Sequence, residues 1–171
     1  GDVVGEFGAN ICYNGDEYWS YQDQGFGKVT FLALFATWWG PCQAEAPQLE
    51  QIYQDHLTEG NLEIVTDGMD WGQPYSLEIW AETFGQTFPV LDDNTGSEIF
   101  SLFGQGYIPH NVVIGGDGTV IYSQSGHNLA AILAAIEEGM ENLVLDVDED
   151  GILDSDDNCV DIANPDQTDI D

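Results

Sequence analysis

An unbroken apolar run, Val29-Thr30-Phe31-Leu32-Ala33-Leu34-Phe35-Ala36, leads directly into Thr37-Trp38-Trp39-Gly40-Pro41-Cys42-Gln43-Ala44-Glu45-Ala46-Pro47. Its β-branched and aromatic content suits a strand, and the lack of polar alternation means that both faces must be covered. A proline in the first turn and Gly60 beyond the end predict a following helix from about Pro41 to Leu57. Pro47 lies inside that helix and is expected to kink it.

The other elements complete the pattern. Asn14-Gly15 separates two apolar-rich segments, 9–13 and 17–21, and predicts a hairpin ahead of the core. Strands are expected at Leu62–Thr66 and Phe88–Leu91, and helices at Tyr75–Phe84, ended by Gly85, and Glu98–Phe103. Asp117-Gly118 lies between two apolar segments and predicts a second hairpin. Leu129 to Leu143 reads as an amphipathic helix with Leu129, Ile132, Leu133, Ile136 and Met140 on one face. Strands separated by helices, closing on a hairpin and a helix, give a layered α/β sandwich.

Of 171 residues, 32 are acidic and Lys28 is the one basic residue, a formal net charge of −31. Phosphate-backbone contacts need lysine and arginine, so nucleic acid is excluded as a partner, and anionic membrane surfaces are disfavoured. No apolar run reaches the ~20 residues of a membrane-spanning helix, so membrane insertion is not expected. No signal peptide is present, and a chain starting at Gly1 is consistent with a processed mature form. The charge suits divalent cations or a high-salt medium.

The segment from Phe35 to Pro47 resembles the active-site segment of thioredoxin-like thiol-disulfide oxidoreductases, in which Trp-Cys-Gly-Pro-Cys joins a strand to a helix. Two more matches follow in order: Gly106-Tyr107-Ile108-Pro109, like the loop that carries a cis-proline, and the Asp117-Gly118 hairpin with its last helix. The N-terminal hairpin and the string Gln43 to Pro47 are most similar to the secreted or membrane-tethered branch related to alkyl hydroperoxide reductases. The resemblance covers residues 1–145 and implies a thioredoxin-like three-layer sandwich, a mixed sheet flanked by helices, with a hairpin extension. By position it implies that Cys42 is the resolving cysteine, that Glu45 lies near the active-site thiols, and that Pro109 is the cis-proline. Trp38, Trp39 and Ile108 fall where that family binds protein substrates.

Trp39 stands where the family has its attacking cysteine, and a lone second cysteine cannot run the two-cysteine cycle. A peroxidase pattern, Thr-x-x-Cys, is not met, since Gly40 stands three residues after Thr37. Cys42 then has three readings: an inert buried thiol, a disulfide with Cys12, or a single-thiol centre acting with Glu45 or His110. An exposed Trp39 would anchor a partner; a folded-down Trp39 would cover the loop. The leading expectation is a redox-inactive structural or binding module, in a protein-partner complex or self-assembly. The alternative is an atypical thiol-disulfide oxidoreductase using Cys42.

The composition changes at Asp146. Residues 146–157 place Asp146, Asp148, Asp150, Asp154 and Asp157 at positions 1, 3, 5, 9 and 12 of a calcium loop. Gly151 falls at the sharp turn, and Ile152 would offer its carbonyl at position 7. Residues 146–171 resemble the type 3 repeats of thrombospondin, which implies bound calcium. Calcium is therefore the expected cofactor, and an extracellular, cell-surface or periplasmic location follows from the millimolar calcium found there.

Overall fold

A computed structural model describes residues 2–93 and 98–143, together with 158, 159, 162 and 165. Its centre is β3, Val29–Ala36, buried along its whole length. Val29, Phe31 and Ala33 point into one apolar cluster, and Leu32 and Leu34 into another on the opposite face. That is why the run carries no polar alternation: each face has its own cover. Each large side chain buried here contributes roughly 1.5–3 kcal/mol.

Seven strands form one mixed sheet in the order β2-β1-β5-β4-β3-β6-β7. β1 (Gly8–Tyr13) and β2 (Tyr18–Ser20) are the N-terminal hairpin, turned at Asn14, whose φ is 61°. β4 (Leu62–Asp70) runs parallel to β3, and β5 (Val90–Asp92) parallel to β4. β6 (His110–Ile114) pairs antiparallel with β3 and with β7 (Val120–Ser125). The layered α/β fold is the expected thioredoxin-like one, and its N-terminal hairpin joins the same sheet through β1 and β5.

α1 (Gly40–His56) starts with Pro41 in its first turn and continues through Pro47. α2 (Leu77–Phe84) ends at Gly85 in the left-handed conformation, φ 68°. α3 (Glu98–Phe103) is the short helix expected there. α4 (Leu129–Glu141) keeps Ile132, Ile136 and the half-buried Met140 of its expected face on the core, but Leu129 and Leu133 are exposed and Ala135 and Gly139 are buried instead. The cause is close approach, because a Cβ on Gly139 would come within 2.9 Å of the Val29 side chain. One element had no counterpart in the sequence reading. Tyr21–Gly25 forms a single wide turn closed by Phe26 N–H donating to Tyr21 C=O at 2.8 Å.

Among the described residues, no helix is long and apolar enough to cross a membrane. The calcium loop expected over 146–157, with Asp146, Asp148, Asp150, Ile152, Asp154 and Asp157, lies outside the described residues. Among the described residues, no group of three histidine, cysteine or acidic side chains is placed to hold a metal ion.

Candidate active site

β3 ends at Ala36 and α1 begins at Gly40, so Thr37, Trp38 and Trp39 form the turn between them. Trp39 is the N-cap residue of α1, but its side chain makes no capping hydrogen bond. Trp38 donates from Nε1 to Asp70 Oδ2 at 2.8 Å, which fixes its ring. The two indoles meet edge to face, with centroids 5.8 Å apart, and remain 49% and 41% exposed.

Cys42 lies in the first turn of α1 and is 2% exposed. It packs in a cluster with Phe35, Ala46, Leu77 and Trp80, which the half-buried Ile108 adjoins. Burial is the main reason its thiol is pushed up to about 12; the Glu45 charge adds to this, and a backbone hydrogen bond at Ala36 opposes it. Cys12 and Cys42 are both free thiols, so the disulfide between them is not formed. Cys12 donates instead to Glu78 Oε1 at 3.2 Å, and burial followed by Glu78 raises its thiol to about 12 as well.

Cys42, Glu45 and Gln48 are spaced three residues apart along one face of α1. Glu45 is 2% exposed. Asn111, on β6, donates from Nδ2 to its Oε1 at 2.6 Å. His127 Nδ1 lies 2.7 Å from the same oxygen, and His127 Nε2 lies 2.9 Å from Gln48 Oε1. The chain reaches this position because Gly126, at φ 88°, turns it back after β7. Gly126 N–H also donates to Pro109 C=O at 2.7 Å, tying this turn to the Ile108–Pro109 loop, whose peptide bond is cis.

His110 is not part of this group. It is fully buried at the start of β6, with its ring nitrogens 2.9 Å from Ser125 Oγ and 3.0 Å from Ser123 Oγ. Burial lowers its pKa, so it serves as a neutral strap between β6 and β7 rather than as a base. The structure brings Cys42, Glu45, Ile108 and Pro109 to one end of the sheet, with Trp38 and Trp39 at the rim. His127 and Asn111 were missed by sequence reasoning. Asn111 left a signal, a polar residue inside a buried strand. His127 left none, since its acidic partner lies 82 residues away.

The sequence pattern of the AhpC/TSA family matches residues 1–123. The thiol-disulfide oxidoreductase ResA of Geobacillus thermodenitrificans (strain NG80-2) is 33% identical over 95 residues, 55% of this chain and 52% of that protein. The chain thus spans about half the length of the curated relatives it matches. A thiol-disulfide oxidoreductase from Bacteroides fragilis superposes with TM-score 0.66 at 15% identity, covering 80% of this chain and 98% of that one. A secreted Mycobacterium tuberculosis disulfide oxidoreductase homologous to E. coli DsbE superposes with TM-score 0.61 at 17% identity, covering 77% and 95%. At these identities the two structures establish the fold. The names of the sequence relatives overturn the expectation of a redox-inactive module: they are thiol-disulfide oxidoreductases and point to redox chemistry. With the match running through the turn, Cys42, Glu45, β6 and into β7, the chain belongs to the AhpC/TSA family.

Proposed function

We propose that the protein is an atypical thiol-disulfide oxidoreductase in which Cys42 is the single redox cysteine. The observation that carries this reading is Glu45, a buried carboxyl one turn along α1 from Cys42, held by Asn111 and His127. At a pKa of about 12, roughly one Cys42 in 10⁵ is ionised at neutral pH, so the thiol needs a base at hand. Glu45 takes the Cys42 proton as the sulfur attacks one sulfur of a disulfide R–S–S–R′. The Cys42–S–S–R bond forms, and R′ leaves as a thiolate that takes up the proton. Trp39 occupies the position of the attacking cysteine of two-cysteine relatives, so no other thiol of the site can resolve the mixed disulfide and an external thiol, R″–SH, attacks next. It frees Cys42 as the thiol and carries R away as a new disulfide. No net oxidant is consumed. The Trp38 and Trp39 indoles and Ile108 supply an apolar rim for the disulfide-bearing partner.

Mass spectrometry of the folded chain after exposure to oxidised glutathione tests this. A Cys42 adduct is expected that dithiothreitol removes and Cys42→Ser lacks. A folded chain whose Cys42 takes up no glutathione overturns the reading.

Two further proposals rest on sequence. The phased aspartates of residues 146–157 bind calcium, since five carboxylates in one loop repel one another unless a cation intervenes. Calorimetry that detects no calcium uptake removes this proposal. The protein works outside the cytoplasm; this is supported by the calcium such a loop needs.

A further inference from the structure

His127 reaches the redox site without touching the thiol. Its imidazole spans two residues of α1, Glu45 at 2.7 Å and Gln48 at 2.9 Å, and its side chain is 17% exposed, against 2% for Glu45. As placed, both neighbours present acceptor oxygens. Only the doubly protonated imidazolium donates to both at once. A buried carboxylate needs such a partner to stay charged, and the chain has no arginine and a single lysine elsewhere to supply one.

We propose that His127 is a positioning residue for Cys42: it holds Glu45 in place as a carboxylate and links it to solvent. This rests on the redox reading of Cys42. When the thiol ionises, its proton passes to the Glu45–His127 pair. The pair returns to its starting protonation by giving one proton to water at the exposed edge of the imidazole. Net, one proton moves from Cys42 to bulk water, from which a leaving thiolate R′–S⁻ takes one up.

Among the described residues, the ionisable groups facing the pair are Cys42 from α1 and Tyr122 from β7; Gln48 from α1 and Asn111 from β6 are neutral. Tyr122 is raised by burial and then by Glu45, so it stays protonated and does not compete as a proton carrier near neutral pH. Histidine is the side chain suited to carry a proton in this range.

The test compares native protein with His127→Gln, which can still donate to Glu45 but cannot carry a proton. Cys42 modification by iodoacetamide and by oxidised glutathione is followed from about pH 5 to about pH 9. The variant is expected to react at least about tenfold more slowly near neutral pH and to lose the histidine inflection, both proteins being compared well below their melting temperatures. Superimposable profiles overturn the proposal. Iodoacetamide needs no disulfide exchange. Failure with glutathione alone, with an altered iodoacetamide profile, therefore removes the redox reading and leaves the His127 role standing. If Cys42 resists both reagents, imidazole ¹⁵N spectra of native protein and Glu45→Gln decide. A His127 titration that moves to lower pH in the variant supports the coupling, and an unmoved one overturns it.

Discussion

Two carboxyl groups are buried on opposite faces of one sheet, and the structure treats them in opposite ways. Glu45 lies on α1, with the Asn111 amide and the His127 imidazole both on its Oε1. Asp67 sits fully buried on β4, in register with Leu34 and Leu91 on the face opposite α1. Neither of its oxygens has a hydrogen-bond partner, and the Asp93 carboxyl lies against it without meeting hydrogen-bond geometry. Burial first, then Asp93 and Asp92, pushes the Asp67 pKa well above the usual carboxylate range. Burial alone therefore does not mark a chemical site; the partner does. In this chain the choice of partner is narrow. The single lysine, Lys28, pairs with Glu63 at 3.6 Å, which leaves amides and histidines to support any other buried carboxylate.

The largest expected effect comes from placing a second thiol beside the supported carboxylate. Trp39→Cys creates Trp-Cys-Gly-Pro-Cys at the N-terminus of α1, where helix position favours the thiolate. Such a thiolate, with a pKa near about 7, is present roughly 10⁵-fold more often than that of Cys42, but each is intrinsically less nucleophilic. The net gain in disulfide attack is roughly a hundredfold or more, read as insulin reduction with dithiothreitol. Adding Glu45→Gln should cut that turnover, whereas adding Asp67→Asn should leave it unchanged. Equal losses from both would erase the distinction between the two carboxyls.

Stability separates them next. Glu45→Leu leaves Asn111 Nδ2 and the His127 imidazole facing a side chain that accepts nothing. Breaking a buried, paired group in this way costs about 3–5 kcal/mol, measurable as a lower urea midpoint. A loss below about 1 kcal/mol would mean that Asn111 and His127 find other partners, and that Glu45 is not the centre of the network.

Which parts of this were legible in the sequence follows from chain distance. β3 and α3 could be read residue by residue because local pattern and covering layers agree: Val29–Ala36 is apolar on both faces, and both faces are buried. β4 runs to Asp70, beyond its expected end at Thr66, because Asp67 and Gly68 look like a turn but are held in the sheet by pairing with β3 and β5. On α4 the pattern finds Ile132, Ile136 and Met140 but not Gly139, because a glycine, invisible to a hydrophobic pattern, is what permits contact with Val29. At the site, the Cys42–Glu45 spacing is local and readable on one helix. His110 attracted attention as the histidine beside the cis-proline, yet its ring is taken up by Ser123 and Ser125. His127 does the pairing instead, and only the fold brings it to Glu45.

The smallest effect, and the most diagnostic of the comparison, is the pH dependence of Asp67→Asn. In the unfolded chain an aspartate titrates near about 4, while the folded value is raised well above that. Below the unfolded value both states carry the proton, and the native chain keeps the full stability that the raised pKa represents. Above it the unfolded chain releases the proton while the folded chain holds it. Stability then falls by up to about 1.4 kcal/mol per pH unit until pH passes the folded pKa. Asparagine has no proton to lose, so the variant should match native protein near about pH 4 and gain on it steadily as pH rises from there toward the folded pKa. The repulsion among the other acidic residues is common to both chains and cancels in the difference. Urea midpoints at acid and neutral pH give the result. A gain of the same size at both would mean that Asp67 holds no proton, and that the contrast with Glu45 is one of packing rather than charge.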